Sequence, residues 1–574
     1  VVTSLGDVSI DFGTVTYDGA GDQAIVADDY FSLTAGGGAG IKTLSGAVNI
    51  AGDLAIDAGV TIAMGINNLT VTGATTIPGA VTITTATLDA NGTFDATGGT
   101  IDINDAGDLQ LAGVVTSLGD VSADFGTVTY DGPGDQAIVA DDYFSLTAGG
   151  GAGIKTLAGN VTVTNDFTID TDVTIAMDTH DLTVTNATEI DGILAVADNI
   201  LTLDGASDIE GTITISTGTV DANGTFDAED GFITFTDAGN LMLFSTVTDL
   251  GTLSDNFGTV IYDGVDQAVF SDAYHSLRAG APLGGSGTKT LVGNVTVAGE
   301  LKIDADVTIA MDIHDLTVAD DTDIDGTVTI STATLDANGA FDATGGTITF
   351  SGAGNLTLAS AVTSLGTLTI SNGTVTYDGT DQNIFGDSYY DLRAGGSSGT
   401  KTLIGAVTVL NNFTIDTDVT IAMDTHDLTV RDDTDIDGTL AVAGNTLTLD
   451  GTSDIDGTIT ISTGNVDAND SFDATGGMIT FTGAGDLTLF STVTDLGTLS
   501  GTGTVTYDGV NQTVFSDAYY NLTAGNSSGT KTLGGAVTVA NNLVINAGVT
   551  VDVSSSNDYS ISVGGALENN GTFS

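Results

Sequence analysis

The chain repeats itself, and at an alternating interval. Residues 1–44 and 114–157 differ at two positions only, Ile10 against Ala123 and Ala20 against Pro133. The Val of "VTSLG" or "VTDLG" recurs as Val2, Val115, Val247, Val362 and Val493, giving intervals of 113, 132, 115 and 131 residues. The surplus of the long intervals is localised: "EIDG" at 189–192 returns as "DIEG" at 208–211, and "DIDG" at 435–438 returns at 454–457, both after 19 residues. An insertion that leaves its flanks undisturbed is what one extra coil of a solenoid looks like, because each coil touches only its neighbours. The reading gives five repeat units, 1–113 (short), 114–245 (long), 246–360 (short), 361–491 (long) and 492–574 (partial), in one continuous solenoid. At about 19 residues per coil, the intervals hold about six and seven coils and the chain roughly thirty. Stacked at about 4.8 Å per coil, they would form a rod on the order of 145 Å long.

The segments within a coil read as short strands. "GTVTYDG", "VTIAM", "DLTV" and "TITIS" alternate apolar with Thr or Asp, so Val, Ile and Leu point inward and polar residues outward. Gly, Asn and Asp separate them and supply the restricted backbone of corners. With 79 Gly, 3 Pro and no helical apolar stripe, the chain reads as all-β, a right-handed parallel β-helix by the usual chirality of parallel crossovers. Phe94, Phe226, Phe341 and Phe472, in "GTFDATGG" and its variants, are expected to stack inside at corresponding levels.

Composition excludes several function classes. There are 76 acidic against 9 basic residues, a formal charge of −67, which makes nucleic acid and anionic membranes poor partners. Divalent cations and water suit such a surface better. Cys is absent, so disulfides, thiolate metal sites and cysteine nucleophiles are all excluded. No apolar run reaches the length of a membrane-spanning helix. The chain starts at Val1 without Met or a signal peptide, and we expect a processed or partial chain. Neither end carries a covering segment, so the expected partner is self, by head-to-tail stacking or continuation in a longer chain.

Against that charge, five of the six lysines recur in one setting, most fully as "GGSGTKT" at 284–290. A phosphate-binding loop needs Gly directly before Lys, and Lys42, Lys155, Lys289, Lys401 and Lys531 follow Ile or Thr. The expected role is a structural corner beside outward Asp residues, where Lys289→Ala would change stability little. Ten of the thirteen tyrosines fall in two recurring slots, Tyr17, Tyr130, Tyr262, Tyr377, Tyr507 and Tyr30, Tyr143, Tyr274, Tyr389, Tyr519. Packing is the expected role, with the hydroxyls near the surface.

The remaining motifs weigh less. Asp321, Asp323, Asp325 and Asp433, Asp435, Asp437 mimic the opening of a calcium loop, but its closing acid is replaced by Thr332 and Gly444. They read as a solvated strand face, with weak calcium binding shared between coils as the alternative and no other cofactor implied. His180, His314 and His426 sit in "MDTHD" or "MDIHD", where the first unit has Asn67, and read as turns. Arg278 and Arg393 share the slot "LRAG" and Arg431 precedes an Asp run, so no cation breaks the repeat as a catalytic centre would, and no catalytic residue is assigned. Ice binding is set aside here because the slots after "TID" and "TDID" carry Asp, which interrupts a Thr-x-Thr array.

The stretch "GTVTYDGTDQNIFGDSYYDLRAGGSSGTKTLIGAVTVLNNFTIDTDVTIAM" resembles modules of very large secreted and surface proteins of Gram-negative bacteria, many of them Bacteroidetes, and "GGALENNGTFS" is similar too. Those modules resemble the filamentous-haemagglutinin and autotransporter-passenger type of β-helix. The resemblance implies an extracellular or cell-surface shaft, not an enzyme, with an adhesive stalk binding surface glycans as the alternative. An ice-binding protein and a polysaccharide-active enzyme rank below both.

Overall fold

The computed structural model describes residues 2–6, 11–121, 125–254, 256–281, 285–396, 398–525, 528–553 and 556–574. Val1, Ile10, Ala123 and Gly284, named above, lie outside them. Contacts divide the chain into two compact units, Val1–Gly287 and Thr288–Ser574. Each is described by itself.

Both units are parallel β-solenoids with three strands per turn. In the first, Thr14–Tyr17, Gln23–Ile25 and Asp29–Tyr30 open three different sheets, and the next strand, Ser32–Ala35, pairs in parallel with Thr14–Tyr17. In the second, Thr374–Tyr377 pairs in the same way with Asp391–Ala394. The described residues contain no helix. Taken together the units hold about 27 turns of roughly 20 residues, fewer than the thirty expected. Coil length varies, which a fixed divisor of 19 ignores: the register advances by 17 residues from Thr374 to Asp391 and by 24 from Val537 to Ile561.

The 19-residue insertion is one coil. Thr188 pairs with Ser207, Ile193 with Thr212 and Ile200 with Thr219, one pair on each face. Thr434 with Ser453, Thr439 with Thr458 and Thr446 with Asn465 do the same in the second unit.

A whole repeat, by contrast, is not a whole number of turns. Thr127–Tyr130 is the seventeenth described strand after its counterpart Thr14–Tyr17, one short of six turns of three. It therefore joins the sheet of Asp29–Tyr30, not the sheet of Thr14–Tyr17. In the second unit Thr504–Tyr507 is the twentieth strand after Thr374–Tyr377, one short of seven turns, and joins the sheet of Ser388–Tyr389. The six and seven coils read from the intervals are thus each too many by one strand, and successive repeats in a unit are turned by one face.

The core is built from inward columns. Phe94, Phe226, Phe341 and Phe472 are buried, and each stands in register with a small hydroxyl residue of the previous coil: Thr75, Ser207, Thr322 and Ser453. A small residue beneath a ring leaves the volume the ring needs at close packing. Each fully buried Ile, Leu or Phe in such a column contributes about 1.5–3 kcal/mol.

One corner shows why the sequence varies as it does. Gly59 turns with φ +80°, and at the matching place Asp172, Asp306 and Asp418 adopt φ of 65–66°. Asp tolerates this left-handed region better than other non-glycine residues because its short carboxylate bonds locally. Asp418→Gly should be neutral or stabilising, whereas Asp418→Val should cost about 1–3 kcal/mol in urea unfolding.

Candidate functional site

The recurring lysines are inside. Lys42, Lys155, Lys289, Lys401 and Lys531 expose no surface, which overturns the expected surface corner. Lys155 stands in an inward column, above Gln136 and followed by Ile175, Leu194 and Ile213 in successive coils, so it occupies a place otherwise held by aliphatics. A strand position that alternates inward buries whatever residue it carries. Here the amine meets backbone carbonyls: Lys155 Nζ donates to Gly132 O at 2.6 Å, Gly134 O at 3.1 Å and Gln136 Oε1 at 2.7 Å. Lys42 repeats the set with Gly19 O, Gly21 O and Gln23 Oε1 at 2.7, 3.0 and 2.9 Å. Lys401 donates to Gly379 O and Lys531 to Gly509 O.

A glutamine completes each seam. Gln136 Oε1 also accepts from Gly132 N at 2.9 Å, and its Nε2 donates to Leu111 O and Gly113 O of the preceding coil at 2.8 and 2.9 Å. Gln267, Gln382 and Gln512 make the matching bonds, to Leu243 and Ser245, Leu358 and Ser360, and Leu489 and Ser491. The amide thus ties the coil before to the coil after. Five of the six glutamines and five of the six lysines in the chain lie in this one feature. The signal was in the sequence, because Gln23, Gln136, Gln382 and Gln512 each precede their Lys by 19 residues.

Burial sets the electrostatics of the seam. It pushes Lys155, Lys401 and Lys531 below the ordinary lysine value, and nearby acids, Asp131 and Asp135 for Lys155, Asp378 and Asp381 for Lys401 and Asp508 for Lys531, offset part of the fall. Burial likewise raises Asp131 and Asp378, each of which has an Oδ1 buried without a hydrogen-bond partner.

The tyrosine pairs belong to the same seam. Tyr377 and Tyr389 hydroxyls lie 3.0 Å apart; Phe385 N donates to Tyr377 and Tyr389 donates to Phe385 O at 2.8 Å. Since the Tyr389 proton goes to that carbonyl, Tyr377 is the donor within the pair. All five pairs hold one residue in this manner, Val26, Val139, Phe270, Phe385 or Phe515. Packing is their role, as expected, but the hydroxyls are buried, not near the surface. Tyr377→Phe should cost about 1–3 kcal/mol, because it strands the Phe385 N–H, and hydrogen exchange at Phe385 should accelerate.

The outer faces differ in charge. In the sheet running from Gln382–Ile384 to Thr498–Gly501 no outward residue is charged: Thr400, Thr402, Thr420, Thr439, Thr458 and Thr460 dominate it. Earlier in the same unit Thr327 and Thr329 stand directly under Thr347 and Thr349. Threonine thus recurs on this face, but Ala422, Ala441 and Met478 break the Thr-x-Thr spacing, so no uniform array runs from coil to coil; the Asp slots cited above lie on another face. On that face Thr414, Asp435, Asp454 and Asp473 stack in consecutive coils, as do Thr168, Glu189, Asp208 and Asp227 in the first unit. Shallow grooves of about 420 and 590 Å³ follow these two ladders.

The six calcium candidates are distributed as follows. Lys302 pairs with Asp323 and, at 3.4 Å, with Asp325. Asp321 Oδ1 accepts from Ala340 N at 3.0 Å, Asp433 Oδ1 accepts from Thr452 Oγ1, and Asp435 stands in the ladder with Asp437 beside it. Among the described residues no group of three or more His, Asp or Glu is arranged to hold a metal ion. His180, His314 and His426 close turns, each donating its N–H to the carbonyl of the Met three residues earlier. Arg393 makes a bidentate pair with Asp416 of the next coil.

No protein-family model and no curated protein matches this chain.

Proposed function

We propose that the chain is a non-enzymatic structural shaft, worn outside the cell and associating with copies of itself. One observation carries the reading: the recurring lysines and tyrosine pairs are repeated at every seam and enclosed there, whereas catalysis needs an irregular, open cleft. The lysines and glutamines hold coil to coil, the tyrosine pairs brace each coil internally, and the acids cover the outside without converging. The resemblance to surface-protein modules supports the extracellular placement. Electron micrographs of purified protein, with mass measured against concentration, test self-association; protease shaving of intact cells tests location. Isolated monomers at every concentration, or protein untouched by the protease, would overturn the corresponding part, and glycan-dependent attachment would favour an adhesive stalk.

A second reading rests on the uncharged threonine face, which matches a neutral, regular surface such as ice. Thermal hysteresis that is abolished by Thr347→Asp would favour it, and its absence would remove it.

A further inference from the structure

The first unit carries an uncharged face of its own. In its sheet from Gln136–Ile138 to Thr252–Leu253, one outward row stacks Ile154, Thr174, Ile193, Thr212, Phe232 and Thr252 in consecutive coils. The row beside it, from Ala137 to Thr234, holds only Ala and Thr. Neither row contains a charge, in a chain whose formal charge is −67. Ile154, Ile193 and Phe232 are 46%, 41% and 49% exposed. Their counterparts in the second unit are Thr400, Thr439 and Met478, so the first two positions do not need an apolar residue to form the strand. Large apolar side chains lined up on an uncharged sheet mark a contact surface.

Spacing decides what fits there. Large and small side chains alternate from coil to coil, about 4.8 Å apart, so the row has a knob at every second coil and a hole between. Read from the other end, the row is its own complement. A two-fold axis along the strands, midway between Ile193 and Thr212, sets Ile154 opposite Thr252, Ile193 opposite Thr212 and Phe232 opposite Thr174. Every position of the row is then used, and small residues face small ones in the neighbouring row. This is the self-complementary contact of a two-fold dimer.

We propose that this face binds a second copy of the chain, side by side and reversed, with Ile154, Ile193 and Phe232 of each copy seated on threonines of the other. The pairing rests on the self-association proposed above and gives it a surface.

Charge argues for the same occupant and sets its conditions. Two acidic copies repel over most of their outsides, and this face lets them meet without acids at the centre. Asp172, Asp191, Glu210 and Asp230, each two residues before a member of the row, fringe one edge. The two-fold brings fringe to fringe, Asp191 opposite Glu210 and Asp172 opposite Asp230, so added salt should tighten the contact by screening it. A basic partner on the same face would be released by salt instead. Six coils by four residues give a pair burying roughly 750 Å², below the roughly 1,200 Å² of a stable complex. The contact is therefore weak for two free chains and gains strength where many copies are already joined.

The chain has no Cys, so introduced cysteines report the pairing directly. Ile193→Cys chains mixed with Thr212→Cys chains at high concentration and high salt should form a disulfide-linked pair under mild oxidation. Ile200→Cys, exposed on another sheet, should not link to Thr212→Cys. By light scattering, the parent chain should gain mass with concentration, more so in high salt, and Ile193→Asp should lose the salt-strengthened part. Ile193→Thr, which carries the residue of the second unit, should lose it too and guards against misfolding of the Asp variant. A parent chain that stays monomeric throughout would overturn self-association and this surface together. Association that persists unchanged in both variants, weakens with salt, or cross-links Ile200→Cys equally would overturn the face and leave self-association standing.

Discussion

Replacing Lys155 by Ala is expected to destabilise its unit by about 3–5 kcal/mol, the range for breaking a buried polar network and leaving its partners alone. The change opens a cavity and leaves Gly132 O, Gly134 O and Gln136 Oε1 without their shared donor. Lys155→Met keeps the volume and removes the charge, and should lose less. Burial of Lys289 extends the expectation to that residue, where the sequence alone suggested little effect. Lys302 is the control: it is partly exposed beside Asp323, and Lys302→Ala should cost no more than about 1 kcal/mol. Because a solenoid unfolds in parts, hydrogen exchange around Gly132–Gly134 is the sharper measurement, and denaturant melts should broaden. Equal effects for Lys155→Ala and Lys302→Ala would contradict the buried staple.

Mild acid is expected to stabilise the protein, the reverse of ordinary acid denaturation. Burial raises Asp108, Asp131, Asp221, Asp378 and Asp467 above the model-peptide value of 3.8, and burial plus neighbouring acids raises Glu189, Asp435 and Asp454. A raised acid binds more protons folded than unfolded, so its contribution is fully present below the unfolded value and is lost as pH rises through the folded one. Among the groups with a resolved shift, Asp95, lowered by its bonds to Thr97, and the buried Lys155, Lys401 and Lys531, also lowered, oppose the trend. Melting temperature should therefore rise as pH falls from 7 toward the unfolded carboxylate value at constant ionic strength, by about 2 °C for each 1 kcal/mol gained in a unit of this size. Millimolar calcium at neutral pH should act in the same direction by relieving repulsion along the ladders. A fall in melting temperature across that pH range would sink the account.

Much of this fold is legible in the sequence because parallel stacking writes the coil into the chain as a period. The 19-residue return of "EIDG" as "DIEG" marks the inserted coil, and the alternation in "TITIS" marks which residues face in. The seam was harder to see. Lys is almost never fully buried unless paired, so composition argues for the surface. Only the inward register of "GTKTL" and the matching Gln one coil earlier argue otherwise. The uncharged, threonine-rich face was missed for a related reason. "TVTI" and "TDI" follow one another in the chain yet lie on different faces, and a linear reading merges them.

The repeat that falls one strand short of whole turns bears on how such a chain can change over generations. Repeats as alike as residues 1–44 and 114–157 invite misaligned recombination, which adds or deletes whole copies. Loss of one copy would swing every later residue of the same stack a third of a turn about its axis, moving acidic rows to where threonine rows had been. Loss of a single 19-residue coil would shorten the stack and leave every bearing unchanged. Such genes thus hold two kinds of length mutation, one that re-aims the surface and one that does not.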